Sequence, residues 1–108
     1  MTEEAPIDRA QLAEFTGGDP DIETDILTVF FENAPDYIVA LEAAEPGEDW
    51  RHKAHRLKGA ARGIGAWPLA RAAERAERTE PDELASRRAG LLALVRAEYD
   101  RLEAAFKP

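Results

Sequence analysis

Apolar residues recur along the chain at intervals of three and four positions, the spacing that places them on one face of an α-helix. Sustained alternation of apolar and polar residues is missing and β-branched residues are few, so strands are not expected. Five helical segments joined by short loops favour antiparallel neighbours. We therefore expect an all-α fold in one domain over residues 1–108. It should be an up-down antiparallel four-helix bundle, with a short additional N-terminal helix packed across one end.

Capping residues indicate where these helices begin and end. Asp8 and Asp19 suit the N-caps of the first two helices, and Gly17 suits the end of the first. Prolines fit the first turns of the second, fourth and fifth helices, at Pro20, Pro68 and Pro81. Pro35 lies inside the second helix, where it should kink the helix or divide it near Asn33.

The third predicted helix, from about Asp49 to Gly63, has an apolar face and a polar face. At about 100° per residue, the apolar face holds Trp50, Ala54, Leu57, Ala61 and Ile64, with Lys53 and Ala60 at its border. The opposite face holds Arg51, His52, His55, Lys58, Gly59 and Arg62. His55 lies near the middle of the polar face, so we expect it to reach solvent. Gly59 follows one turn later and costs the helix about 1 kcal/mol relative to alanine. Either this surface position tolerates glycine by chance, or something approaches the backbone beside His55.

The charge distribution marks the same helix. The chain has a net charge of −8, which argues against nucleic acid as a general partner. Residues 1–50 carry 14 acids and one base, residues 51–73 carry six bases and no acid, and residues 74–108 carry eight acids and seven bases. An acidic protein thus keeps one basic segment, which contains both histidines and favours binding of an anion.

Several classes of function lack the residues they need. The chain has no cysteine, its one serine, Ser86, is not in a nucleophile elbow, and residues 59–66 lack the Lys-Ser/Thr ending of a phosphate-binding loop. His52 and His55 have no third ligand nearby in sequence, so no metal site is expected. Short apolar runs exclude a membrane span, and the acidic start lacks the apolar segment of a signal peptide, so a cytoplasmic protein is expected.

What remains is a nucleophilic imidazole in a basic setting, suited to carrying a small anion such as a phosphoryl group. Lys58 and Arg62 lie on the same face as His55 and could neutralise phosphate oxygens. Gly59 would give the group and an incoming protein room.

The stretch HRLKGAARGIGA, residues 55–66, closely resembles the signature of histidine-containing phosphotransfer (HPt) domains, H-x-L-K-G-[AS]-[AS]-x-x-[ILF]-G. The resemblance implies a four-helix bundle with the histidine on its second helix. It also implies that His55 is phosphorylated on a ring nitrogen and exchanges the group with receiver-domain aspartates. In the family a Gln or Glu on the next helix holds the other ring nitrogen, and counting without gaps gives Glu77. Lys58 and Gly59 match the signature, whereas it leaves the position of Arg62 open.

The resemblance also sets expectations about cofactors and partners. The protein should be a phosphoryl carrier without ATP-dependent kinase activity of its own. Its partners should be response-regulator receiver domains, a hybrid histidine kinase, or both, with Mg²⁺ on the receiver and no cofactor on this chain. It should act as a monomer, and its length and initial Met1 favour a stand-alone module. Two alternatives stay open: a phosphotransfer domain cut from a chemotaxis-type kinase, and a helical adaptor that binds a partner without phosphorylation.

Overall fold

A computed structural model describes residues 4–106, and within that range all regular structure is helical. The five helices are α1 (Arg9–Thr16), α2 (Pro20–Glu42), α3 (Glu48–Gly63), α4 (Trp67–Arg78) and α5 (Pro81–Ala104). The all-α prediction is therefore confirmed, and the predicted starts agree to within a residue. No helix within residues 4–106 combines the length and the apolar character needed to cross a membrane.

The expected aspartate caps are present on the first two helices. Asp8 accepts a hydrogen bond from the backbone N–H of Gln11 at 3.1 Å, and Asp19 accepts one from that of Asp21 at 2.9 Å. Each bond satisfies an N–H group that the first helical turn leaves without an intrahelical partner. Gly17 ends α1 in the left-handed conformation, as expected from its sequence position.

Pro35 does not divide the second helix. α2 runs without interruption from Pro20 to Glu42, so of the two outcomes expected at Pro35, a kink or a division near Asn33, the division does not occur. The proline removes one backbone donor, but the helix on either side is anchored by side chains buried in the core: Phe30, Ala34, Ile38 and Leu41. Tertiary packing of this face therefore outweighs the local preference of proline to end a helix.

The four long helices pack around one core. α2 contacts α3, α3 contacts α4, α4 contacts α5, and α5 returns to α2, while α1 packs on α2. The apolar face expected for α3 is confirmed, since Trp50, Ala54, Leu57, Ala61 and Ile64 are each at most 3% exposed. Arg96 on α5 binds the Glu42 carboxylate through two nitrogens, at 2.9 and 3.1 Å, and so ties α5 to the end of α2.

The turn between α3 and α4 is held by the N-terminal segment. Gly65 has a φ of 78°, a conformation that residues with a side chain rarely adopt, and a Cβ there would lie 3.1 Å from the carbonyl oxygen of Asp8. The N–H of Asp8 donates to the Gly65 carbonyl at 2.8 Å. Trp67 Nε1 donates to Gln11 Oε1 at 2.8 Å. These contacts fix how α4 leaves α3, and thus which residues of the two helices face each other.

Trp50 makes the main buried polar contact between α3 and α4, since its indole N–H donates to the Ala76 carbonyl at 2.6 Å. We expect Trp50→Phe to lower the free energy of unfolding by about 2 kcal/mol, because it removes both this bond and core volume. Trp67→Phe is the matched control. It makes the same chemical change at a half-buried site and should cost under about 1 kcal/mol. Urea denaturation compares them, and an equal or larger loss in the Trp67 variant would contradict this account.

Candidate functional site

His55 and Glu77 face each other across the α3–α4 contact. The His55 side chain is 67% exposed, and its Nδ1 lies 2.6 Å from Glu77 Oε2. The other carboxylate oxygen, Oε1, accepts a hydrogen bond from Lys58 Nζ at 2.6 Å. Glu77 is only 15% exposed and thus joins the histidine and the lysine from below the surface.

Glu77 is held in its charged form. Burial by itself would raise the pKa of this carboxyl. The hydrogen bonds from Lys58 and His55, together with their charges, outweigh burial and leave the pKa below its ordinary value of 4.5. A carboxylate can only accept hydrogen bonds, so the proton in the contact with His55 must sit on Nδ1.

This contact decides which ring nitrogen of His55 can react. With the proton on Nδ1, the lone pair of the neutral ring is on Nε2. Nε2 forms no hydrogen bond with any residue between 4 and 106. His55 therefore presents one oriented imidazole with a free nucleophilic nitrogen, and the carboxylate behind it can stabilise positive charge on the ring.

Lys58 lies deeper than the sequence suggests. It was expected on the polar face with its ammonium open to phosphate, yet its side chain is only 14% exposed and is engaged by Glu77. Lys58 lies three residues after His55 on α3, and its ammonium reaches across to Glu77 of α4. The lysine therefore shares its partner with His55.

Arg62 and His52 lie apart from the His55–Glu77 pair. The Arg62 guanidinium is above the Trp67 ring, 5.8 Å from its centroid, so the α3–α4 turn holds it. His52 is exposed one turn before His55. No group of three or more His, Cys, Asp or Glu residues is placed to hold a metal ion in the described part of the chain, residues 4–106.

Gly59 opens into a groove between α2 and α3. A Cβ at Gly59 would meet no atom within 4 Å, and the same holds for Gly63, so nothing inside the described protein requires either glycine. The groove has a volume of about 260 Å³ and is lined by Ile26, Val29, Phe30, Asn33, Tyr37, Gly59, Ala60, Gly63 and Ile64. It lies on the α2 side of His55 and is mostly apolar.

Two residues of this apolar surface are exposed: Val29, which lines the groove, and Ile22, one turn before the groove residue Ile26. The sequence pattern placed both on the apolar stripe of the second helix and gave them no separate role. Ile22 is 46% exposed and Val29 is 56% exposed, although both keep helical spacing with the core positions of α2. A signal was available, because the apolar positions of α2 cover more of its circumference than one core-facing stripe needs. A helix that is apolar over so wide an arc has an exposed apolar surface besides the one that packs in the core, and such a surface is typical of a binding site.

The ion pair between Lys58 and Glu77 predicts that Glu77→Gln lowers the stability of the fold by an amount that depends on pH. Because folding lowers the pKa of Glu77, its contribution to stability is present above pH 4.5 and is lost as the pH falls through the folded value. At neutral pH the free energy of unfolding of the variant should be about 1 kcal/mol lower than that of the wild type, since Lys58 loses a charged partner. The difference should shrink as the pH falls below 4.5. Thermal unfolding at several pH values measures this, with Glu74→Gln, on the same helix, as control. A constant difference would contradict the charge assignment.

A model of the protein family described as "Hpt domain" matches residues 25–105. The match begins inside α2, includes His55, Lys58, Gly59 and Glu77, and ends just after α5. No curated protein and no solved structure matches the chain significantly. The family match confirms the resemblance carried by residues 55–66. Because it covers most of the chain, this protein belongs to the Hpt domain family, whose members serve phosphotransfer in two-component signalling.

Proposed function

We propose that this protein relays a phosphoryl group between Nε2 of His55 and the aspartates of receiver domains. The observation that carries the proposal is the single contact of His55 Nδ1 with the Glu77 carboxylate at 2.6 Å, on a side chain that is 67% exposed. One ring nitrogen is thereby oriented from behind, and the other is left for a partner. So open a site suits docking of a macromolecular partner, because a side chain that is 67% exposed can be covered by a protein surface.

The proposed step needs no general base. The Nε2 lone pair forms the new N–P bond while the O–P bond of the aspartyl phosphate breaks, and its electron pair stays on the leaving carboxylate. Both ring nitrogens are then substituted, so the ring gains positive charge. The Glu77 carboxylate, next to Nδ1, stabilises that charge. The reverse transfer uses the same contacts.

We assign Lys58 two successive partners. Before transfer it neutralises Glu77, and its proximity to His55 allows it to pair with phosphoryl oxygens once they arrive. Arg62 is a supporting cation at the turn, and it would have to leave the Trp67 ring to reach the phosphoryl group. Gly59 provides clearance for the incoming receiver.

Lys58→Ala should therefore slow transfer without abolishing it, because the nucleophile is retained. Lys58→Arg should keep more activity, since it preserves the charge next to Glu77. Single-turnover transfer from phosphorylated protein to a receiver measures both. Equal impairment of the two variants would indicate that the geometry of the ammonium, rather than its charge, is what matters.

The proposal extends to the setting of the reaction. The protein would be a cytoplasmic monomer of one domain, with its four long helices arranged up-down and antiparallel. Short connections and the cyclic contacts from α2 through α5 support that arrangement. It would carry no cofactor and no kinase activity, and the receiver would bring Mg²⁺ as well as the acceptor aspartate.

The direct test is transfer of label from a receiver. The protein is incubated with receiver domains that have been phosphorylated by a radiolabelled small-molecule phosphodonor, and label on this chain is tested for stability. The proposal expects label that survives base and is lost in acid, as a phosphohistidine does. Incubation with ATP and Mg²⁺ alone should give none. Binding of a receiver without any label on the protein would instead favour the adaptor reading.

A further inference from the structure

The surface beside the groove carries a regular row of acids. On α2, Asp21, Asp25, Glu32 and Asp36 each directly precede a residue of the neighbouring stripe: Ile22, Ile26, Asn33 and Tyr37. At 100° per residue the four acids fall within about 60° of one another, on the side of that stripe away from α3. We call them the acidic row, and we call Ile22, Ile26, Val29 and Tyr37 the apolar row.

Nothing in the described part of the chain neutralises the acidic row. All four side chains belong to exposed residues, and none forms an ion pair with another residue between 4 and 106. Asp21 lies in the first turn of α2, where the helix dipole favours an acid, but the other three lie beyond that turn. Acids four residues apart on one helix repel each other, by about 0.2–0.5 kcal/mol per pair. The row thus costs the isolated helix some stability.

Arg56 places a positive charge on the α3 side of the groove. Arg56 on α3 stacks on the Tyr37 ring, with its guanidinium carbon 4.3 Å from the centroid, so a cation borders the apolar row there. Four of the six bases in residues 51–73 pair with acids: Arg51 with Glu48, Lys53 with Asp49, Lys58 with Glu77 and Arg71 with Glu4. Arg56 and Arg62 form no ion pair with another residue between 4 and 106. Charge therefore changes sign across this surface, from the acidic row through the apolar row to the Arg56 guanidinium at the edge of the groove.

We propose that this change of charge across the surface determines which receiver domain binds, an inference that rests on the proposed function. A receiver brings its own acids and phosphoryl group to His55, and these suit the Arg56 and Arg62 guanidinium groups on α3. The part of that receiver on the apolar row should then be an apolar helix face bordered by Lys or Arg side chains, which pair with the acidic row. Receivers with acids at that border are repelled.

The test compares a charge reversal in the acidic row with the same charge reversal at an exposed site outside it. Asp36→Lys reverses a charge in the acidic row, and Asp100→Lys makes the same change in net charge at an exposed position of α5. Each full-length protein is phosphorylated with phosphoramidate, whose P–N bond breaks to release ammonia as the histidine N–P bond forms. Transfer is then timed to the receiver that wild-type protein prefers among those of its genome, at low and at high salt.

Asp36→Lys should slow transfer at low salt by roughly five- to tenfold, and the double variant Asp25→Lys/Asp36→Lys should slow it further. High salt should reduce the difference, since it screens exposed charges. Asp100→Lys should transfer like wild type, and all variants should accept phosphoryl from phosphoramidate equally. Reversing the basic border of the receiver should restore the rate with Asp36→Lys.

Equal rates for Asp36→Lys and Asp100→Lys would overturn the inference and leave the relay intact. That result would make the acidic row a solubilising feature only. A wild-type protein that is phosphorylated on His55 yet transfers to no receiver would overturn the proposed function itself.

Discussion

A His55→Gln variant is expected to incorporate no phosphoryl group from any donor, a complete loss relative to the wild-type protein. The glutamine side chain can still bond to Glu77, but its amide has no nucleophilic nitrogen. The helices should be unaffected, because the histidine side chain is 67% exposed and takes no part in the core. Radiolabel incorporation and circular dichroism on the same sample separate loss of chemistry from loss of fold.

His52→Gln is the matched control for that experiment. It makes the same substitution one turn earlier on the same exposed face, at a residue that does not contact Glu77. Labelling of this variant should equal that of the wild type. If His52→Gln lost its label while His55→Gln kept it, the assignment of the carrier would be wrong.

The second large effect is expected from Gly59→Gln, which should block transfer between the protein and a receiver. A side chain at this position meets nothing inside the protein, so the fold can accept it. It would project beside His55 into the groove, where the receiver must approach. The rate of receiver-dependent transfer should fall at least a hundredfold, whereas labelling by phosphoramidate, a small donor, should change little.

Gly59→Ala separates clearance from helix propensity. The methyl group also meets no atom within 4 Å, and alanine favours the helix, so stability should rise by up to about 1 kcal/mol. Transfer should be reduced less than in Gly59→Gln. Wild-type transfer rates in the glutamine variant would show that the glycine has no clearance role.

Much of the fold follows from local signals in the sequence. Asp8, Asp19 and Gly17 mark helix ends because their side chains or backbone freedom satisfy groups that a helix end leaves free. The apolar face of α3 follows from its period alone. Pro35 shows the limit of such reasoning, since its effect depends on how firmly neighbouring elements hold the helix around it, and this information is not local.

The sequence predicts which residues belong to the candidate site, but not all of the contacts between them. Spacing places His55 on the polar face, and only the family resemblance pointed to Glu77 across the α3–α4 contact. The burial of Lys58 depends on the distance and rotation between α3 and α4, which the sequence of α3 does not contain. Likewise, predicting the α2–α3 groove requires knowing which apolar residues of α2 remain exposed after packing, as Val29 does.

The two alternatives from the sequence differ in what they require of His55. A domain of a chemotaxis-type kinase would use the same imidazole, the same Glu77 contact and a different set of neighbours. An adaptor would use the groove and the charged surface without phosphorylation. The chemistry of the histidine therefore separates the relay from the adaptor, and only identification of partners separates the two relay forms.

The most direct test of the central claim is to locate the phosphoryl group on the protein. Protein enriched in ¹⁵N is phosphorylated by a phosphorylated receiver, and long-range proton–nitrogen correlations of the imidazoles are recorded before and after. The account predicts that one ring changes, that of His55, with the new bond on Nε2 and with Nδ1 still next to Glu77. A phosphoryl group on Nδ1 of His55, on His52, or on no histidine at all would contradict it.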